Sequence, residues 1–178
     1  MDKRRPIESR VSAGGGRAPE AEAAAERFKE ALARWASTVT VFAVRDRDTG
    51  SVHAPTVTSF APAAAYPPLV VVSLSPRAQA LPFVEVGGSV GITLLAESQS
   101  RWASTFADSY PVGPQPWTDE GTPVIPGAAA ALRCTVEEIH ATTGGGRLVV
   151  CRVHDIELGE EDHPLLYWKR EYRKLGDG

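Results

Sequence analysis

The sequence predicts a mainly β domain, an antiparallel barrel with α additions, and three observations carry that expectation. Six or seven segments rich in β-branched residues recur along the chain, each bounded by polar, Gly or Pro turns. One amphipathic helix precedes them and two short helices fall between, which is not the strand–helix alternation of a parallel sheet. The glycine patterns of a dinucleotide-binding turn or a P-loop are absent, so nucleotide binding has to use another architecture.

A chain of 178 residues is long enough for one domain with a full core and short for two. Its hydrophobic share of 43% and charged share of 23% are those of a soluble globular protein. A net charge of −3 argues against a nucleic-acid or anionic-membrane surface, since no excess of cations exists to neutralise phosphates. Lys169, Arg170, Arg173 and Lys174 form a local basic cluster, which reads as a solvated face near the chain end. Cys134 and Cys151 are too few for a disulfide framework and sit in apolar segments as small buried hydrophobes. They match no zinc spacing, and His53, His140, His154 and His163 form no ligand pair, so no metal is expected. No apolar run reaches the length of a membrane span and no signal-peptide core is present, which makes the cytoplasm the expected location.

Residues 1–18 read as a disordered arm, charged over Asp2–Arg5 and loosened by Gly14, Gly15 and Gly16; residues 19–178 read as one domain. Alanine dominates from Glu20 to Ala36 and predicts a helix, with Phe28, Leu32 and Trp35 on one stripe and a Glu30–Arg34 pair on another. Thr38 to Val44 is β-branched and ends in the polar turn 45–50. Val52 to Phe60 is the returning strand, and Pro55 within it implies an edge or a bulge. After Tyr66-Pro67-Pro68, the continuous apolar run Leu69–Leu74 predicts a strand buried on both faces.

Ala80 to Val86 predicts a short helix stopped by Gly87-Gly88, followed by a strand over Ser89–Leu95. Gln99 to Ala107 predicts a helix with Trp102 and Phe106 on one face. Five prolines mark residues 108–128 as an irregular excursion. Ala131–Thr142 and Arg147–Leu158 predict two long strands joined at Gly144-Gly145-Gly146, with a break of parity, and so a bulge, at Glu138-Ile139. Leu165–Trp168 closes the series, followed by a charged tail.

The order of these segments resembles the short-chain flavin reductase family. Arg34 to Val41 is similar to its helix-to-strand opening, and Thr56-Val57-Thr58-Ser59-Phe60 to its flavin loop. Pro67 to Leu74 resembles its proline-led buried strand, with Leu81-Pro82-Phe83 opening the short helix after it. Gly127 to Cys134, and Pro164 to Tyr167 with Tyr172 to Leu175, resemble later segments, in order and over about 150 residues. The resemblance implies an FMN-binding split barrel, a Greek-key-like antiparallel barrel with an N-terminal helix. It further implies a homodimer that uses NADH or NADPH to reduce FMN or FAD, which passes to a flavin-dependent monooxygenase. No catalytic acid, base or nucleophile is expected, because in hydride transfer the cofactors carry the reaction and the protein orients two rings.

On this resemblance the cofactor-binding candidates follow. Thr56, Val57, Thr58 and Ser59 offer amides and hydroxyls to the polar edge of an isoalloxazine, where negative charge develops on reduction. Ser73, Leu74 and Ser75 end a strand where a ribityl chain or phosphate would lie, and Arg77 is the nearest cation for that phosphate. The same residues also read as ordinary β-formers and a solvated turn. Four positions depart from the family pattern. Ala78-Gln79-Ala80 stands in place of a small hydroxyl cluster, leaving the Gln79 amide; Ser104-Thr105 replaces an Arg-Arg pair; Thr93 replaces an Asn. Gly144-Gly145-Gly146 and Arg147 replace a Gly-Asp-His hairpin, which reads either as a plain glycine turn or as a loop reshaped through Gly146 for the bulkier FAD, where Arg147 meets a pyrophosphate or, equally, makes a cross-strand salt bridge. Trp168 and Tyr172 read equally as a nicotinamide-side cover or as interface aromatics. A flavin reductase is the leading expectation; the second is a barrel that binds flavin, or another planar cofactor, without reducing it.

Overall fold

The computed structural model describes residues 18–108, 111, 113–117, 121–160 and 163–176. The arm expected at residues 1–18 thus lies outside the described residues except for Ala18, and the excursion at 108–128 lies partly outside them. The chain divides into two compact units, Met1–Trp35 and Ala36–Gly178.

In the first unit, α1 spans Ala18–Leu32. Its last turn tightens, with the N–H groups of Arg34 and Trp35 donating to the carbonyls of Ala31 and Leu32, three residues back. The helix therefore stops four residues before the predicted Ala36. Its ion pair is Lys29–Glu26 at 2.7 Å, one turn earlier than the expected Glu30–Arg34 pair.

The second unit is built on β1 (Ser37–Thr38), β2 (Thr40–Arg45), β3 (Val52–His53), β4 (Thr56–Val57), β5 (Phe60–Ala65), β6 (Pro68–Leu74), β7 (Ser89–Leu94), β8 (Ala130–Ala141), β9 (Arg147–Leu158), β10 (Leu166–Trp168) and β11 (Glu171–Arg173). All pairings are antiparallel. The large sheet runs β3-β2-β7-β8-β9-β6-β5, with β4 also on β2, and a small sheet runs β1-β10-β11. Among the described residues this unit has one α-helix, α2 (Ser100–Ala107).

Two apolar clusters flank β2. Phe42 and Val44 join Val72, Leu74, Ile92, Cys134, Val149 and Cys151 in the main core. Val41 and Ala43, one residue out of phase, join Ala103, Phe106, Ile125 and Leu165 in a second core beneath α2 and the small sheet. Side chains alternate across a strand, so β2 is covered on both faces, as is the adjacent β7 over Val90–Thr93. This corrects the expectation placed on Leu69–Leu74. In β6 only Val70, Val72 and Leu74 are buried; Ser73 is exposed and Leu69 and Val71 are half-buried. An uninterrupted apolar run was a poor guide because Val tolerates a half-exposed pleat.

Other boundaries shifted for local reasons. The predicted Val52–Phe60 strand is three pieces, broken around Pro55, with β3 at the sheet edge as the proline implied. The predicted helix over Ala80–Val86 is one 3-10 turn, Leu81–Phe83. The tail carries a further strand, β11. The predicted bulge lies at Glu137, since Val136 faces Cys151 and Glu138 faces Val150; a second bulge leaves His154 of β9 unmatched.

Close backbone approach explains one glycine. The chain at 121–126 crosses β7 so tightly that a Cβ on Gly91 would sit 1.8 Å from the Pro123 carbonyl oxygen. Two buried polar groups hold the crossing. Thr93 Oγ1 accepts the Ile125 N–H at 3.1 Å, and Gln99 Nε2 donates to the Pro126 carbonyl at 2.9 Å. Thr93, which stands where the family pattern has Asn, thus has a structural task.

Candidate functional site

Three segments converge on one cleft of ≈ 360 Å³: 55–59 around β4, 73–79 at the end of β6, and 106–108 at the end of α2. Each arrives for a reason legible in the local chain. Thr58 and Ser59 are exposed because β4 ends at Val57 and β5 begins at Phe60. Ser73 is exposed because it shares the outer face of β6 with Val71, opposite buried Val72 and Leu74. Ser75 to Ala78 is a turn closed by the Ala78 N–H donating to the Ser75 carbonyl at 3.0 Å, with Pro76 at its second position. That turn carries Arg77 into solvent at the rim.

The walls are tied pairwise by three side-chain-to-backbone hydrogen bonds. Thr56 Oγ1 donates to the Ala103 carbonyl of α2 at 2.8 Å. Ser59 Oγ donates to the Ser73 carbonyl at 2.6 Å. Gln79 Nε2 donates to the Asp108 carbonyl at 3.3 Å. Thr56 and Ser59 have therefore committed their hydrogens inside the protein and present only acceptor lone pairs to a ligand. Among the described residues, the Thr58 and Ser75 hydroxyls and the Arg77 guanidinium have no side-chain hydrogen bond or ion pair. A depression of ≈ 300 Å³ beside the 45–48 turn is different: its Arg47 is already paired with Glu85 at 2.6 Å.

Of the residues singled out in the sequence, Thr56, Val57, Thr58, Ser59, Ser73, Ser75, Arg77 and Gln79 line this cleft. Five others stand elsewhere. Leu74 is 1% exposed, its side chain in the main core. Gly146 is buried at the end of the β8–β9 hairpin, where a Cβ would lie 2.5 Å from the Leu74 carbonyl oxygen. Arg147, exposed at the start of β9, faces Leu74 across the β6–β9 pair, so it leaves the sheet on the Leu74 side and not the Ser73 side. Tyr172 packs with the second core, against Tyr167 at 5.5 Å between ring centroids, and hydrogen-bonds with Ser104; burial raises its phenol pKa. The Trp168 ring lies under the Lys169 ammonium at 4.4 Å. Phe106, Ala107 and Asp108 were not singled out as site residues, because a helix end about thirty residues past Arg77 reaches the cleft only through tertiary packing.

The hairpin itself is a glycine device. The Gly145 N–H donates to the Thr142 carbonyl at 3.0 Å and the Thr142 N–H to the Gly146 carbonyl at 2.9 Å, with Gly145 at φ +81°. This is a three-residue hairpin loop closed by a left-handed glycine. Its tip reaches the Ser75–Ala78 turn, since a Cβ on Gly145 would meet Pro76 Cβ at 3.6 Å.

Comparison with known proteins agrees with this geometry. The family described as "Flavin reductase like domain" matches residues 32–176. The reductase component of 4-hydroxyphenylacetate 3-monooxygenase from Thermus thermophilus is 42% identical over 84% of this chain and 96% of its own. An NADH-dependent flavin reductase from a Rhodococcus species is 33% identical, over 83% and 85%. Among solved structures, the styrene monooxygenase flavin reductase from Pseudomonas putida S12 superposes with a TM-score of 0.72 at 28% identity, covering 85% of this chain and 99% of that one.

Proposed function

The chain belongs to the flavin reductase like domain family, and on that premise we propose that it is an NAD(P)H-dependent flavin oxidoreductase. It reduces FMN or FAD and supplies the reduced flavin to a partner monooxygenase. The observation that carries the reading is the cleft: unpaired hydroxyls and one unpaired guanidinium converge there, beside the half-buried and buried apolar walls of Val57 and Phe106.

That donor set fits a ligand with a flat apolar part, a polyhydroxyl chain and a phosphate. Arg77 would hold the phosphate with charge-assisted hydrogen bonds. Thr58 and Ser75 would meet the hydroxyl chain. The backbone amides of Thr58 and Ser59, between β4 and β5, would favour developing negative charge on a ring edge. When bound, the flavin supplies the hydride-accepting ring. The protein supplies orientation and a cleft from which water is displaced, and no side-chain acid or base is required.

In this proposal the working assembly is a homodimer. Tyr66 at the β5–β6 turn and Ile156 and Leu158 at the end of β9, 57–97% exposed, support an assembly that covers them. A cytoplasmic location suits two free buried cysteines.

The test is steady-state oxidation of NADH and NADPH by purified protein, with FMN or FAD added. Acceleration by flavin is expected. No acceleration with any of the four combinations would refute reductase activity. One observation favours a second reading, a flavin-binding protein that does not reduce its ligand: the hairpin loop beside the cleft is Thr143-Gly144-Gly145, closed at Gly146, and offers no ring or charged side chain. Protein that binds flavin but leaves both nicotinamides unoxidised would establish it.

A further inference from the structure

We propose that Thr56, Ser59 and Gln79 are positioning residues: together they set the width of the cleft by holding its three walls in a closed triangle. The inference rests on the flavin reading above and assigns these side chains a role different from direct contact with flavin.

Each bond joins a different pair of walls. Thr56 ties the β4 loop to α2, Ser59 ties the same loop to β6, and Gln79 ties the turn after β6 back to the end of α2. The Ser59 tie extends the β5–β6 ladder, where Phe60 faces Val72, but no backbone ladder joins α2 to the other walls, because α2 is not part of either sheet; the Thr56 and Gln79 bonds supply that link. The Thr56–Ala103 bond is the anchor of the three. It is partly buried at 2.8 Å, whereas the other two are exposed to water. A hydrogen bond shielded from water is harder to exchange for one with solvent, so it constrains geometry more. Four residues beyond Ala103, the chain reaches the α2 end of the cleft at Ala107 and Asp108. A shift at Ala103 is therefore a shift of that wall. Ala103 and the cleft residues Phe106 and Ala107 belong to the one short helix α2, whose Thr105 Oγ1 donates to the Arg101 carbonyl at 2.9 Å.

A wall held at the wrong distance weakens ligand binding without altering the groups that touch the ligand. It should raise the flavin KM while sparing the rate at saturation.

The experiment compares Thr56→Val, which keeps shape and removes the donor, with Thr56→Ser, which keeps the donor, and with Gln79→Ala at the half-buried third corner. Dissociation constants for oxidised FMN and FAD come from flavin fluorescence quenching, alongside kcat, flavin KM and thermal midpoints. Thr56→Val is expected to raise the flavin Kd and KM roughly three- to tenfold, with kcat within about twofold of the parent; Gln79→Ala should raise them by about twofold. Thr56→Ser should restore binding. Unchanged flavin Kd in both Thr56→Val and Gln79→Ala overturns the proposal. So does a Thr56→Val effect that falls on kcat and the thermal midpoint together and is not rescued by Ser. If Thr56→Val fails to fold, Gln79→Ala alone decides, by the same Kd criterion. A parent protein that binds neither flavin overturns this proposal with the reading beneath it; a parent that binds flavin while the variants match it overturns the triangle alone.

Discussion

The three hairpin glycines should respond to the same added methyl group in three different ways. A Cβ on Gly144 meets nothing within 4 Å, and its backbone is not left-handed. Gly144→Ala is therefore expected to be neutral or to stabilise by up to about 1 kcal/mol, through a less flexible unfolded chain. Gly145 sits at φ +81°, where an L side chain crowds its own carbonyl; Gly145→Ala should cost about 1–2 kcal/mol. Gly146→Ala would place Cβ 2.5 Å from the Leu74 carbonyl oxygen, a backbone atom that cannot rotate away. Real Cβ atoms essentially never approach closer than 3.0 Å, so β6 or β9 must yield by about half an ångström. The expected cost is about 1–3 kcal/mol. For a chain of this size that is a fall in Tm of roughly 3–10 °C. Thermal and urea unfolding of the three variants measure it, and flavin titration adds a functional reading, because Leu74 leads directly into Ser75 and Arg77 of the cleft. Gly146→Ala should weaken flavin binding while Gly144→Ala does not. Equal stability of all three variants, or a Gly144→Ala loss as large as that of Gly146→Ala, would refute the reasoning.

Other expectations follow from single contacts. Arg77→Ala should weaken FMN binding by about tenfold and leave riboflavin, which lacks the phosphate, almost unaffected; a parallel loss for both flavins would separate Arg77 from phosphate recognition. Thr93→Val removes the acceptor of the buried Ile125 N–H and should cost about 1–3 kcal/mol in urea unfolding, with Thr93→Ser less costly. Burial pushes the Cys134 and Cys151 thiols up to about 12, the neighbouring Cys151 adding to the effect on Cys134. Native protein near neutral pH should thus react with thiol reagents far more slowly than protein in urea. Because these pKa values are raised on folding, the thiols are neutral in both states below about 9. Above that the unfolded chain ionises first, and stability should fall as pH rises from about 9 towards 12. A stability flat across that window contradicts the burial.

How much of this was legible in the sequence depended on the reach of each signal. The bounds of β9 were read as observed, Arg147–Leu158, because twelve residues of β-rich pattern follow a glycine turn that cannot be mistaken. β5 was missed beyond Phe60: Pro62 and four alanines carry no β-preference, and the segment is a strand only because β6 offers it a ladder. Burial on both faces fell to β2 and not to β6 because the cover on the outer face of β2, α2 and the small sheet, is supplied by residues far along the chain. At the cleft, Thr56–Ser59 and Ser73–Gln79 could be grouped from motifs, whereas the α2 wall could not. Which side of the sheet Arg147 takes was not legible for a simpler reason: a single residue of strand parity decides it, and the register with Leu74 is a tertiary fact.

The central claim is that this cleft binds flavin and that the bound flavin is reduced by a nicotinamide nucleotide. Anaerobic titration of the protein with FMN or FAD, followed by NADH and then NADPH, reads both steps in the flavin absorbance. The account predicts saturable binding that Arg77→Ala weakens, then bleaching of the flavin on addition of at least one nicotinamide. Flavin that binds equally well to Arg77→Ala, or that stays oxidised with both nucleotides, would contradict it.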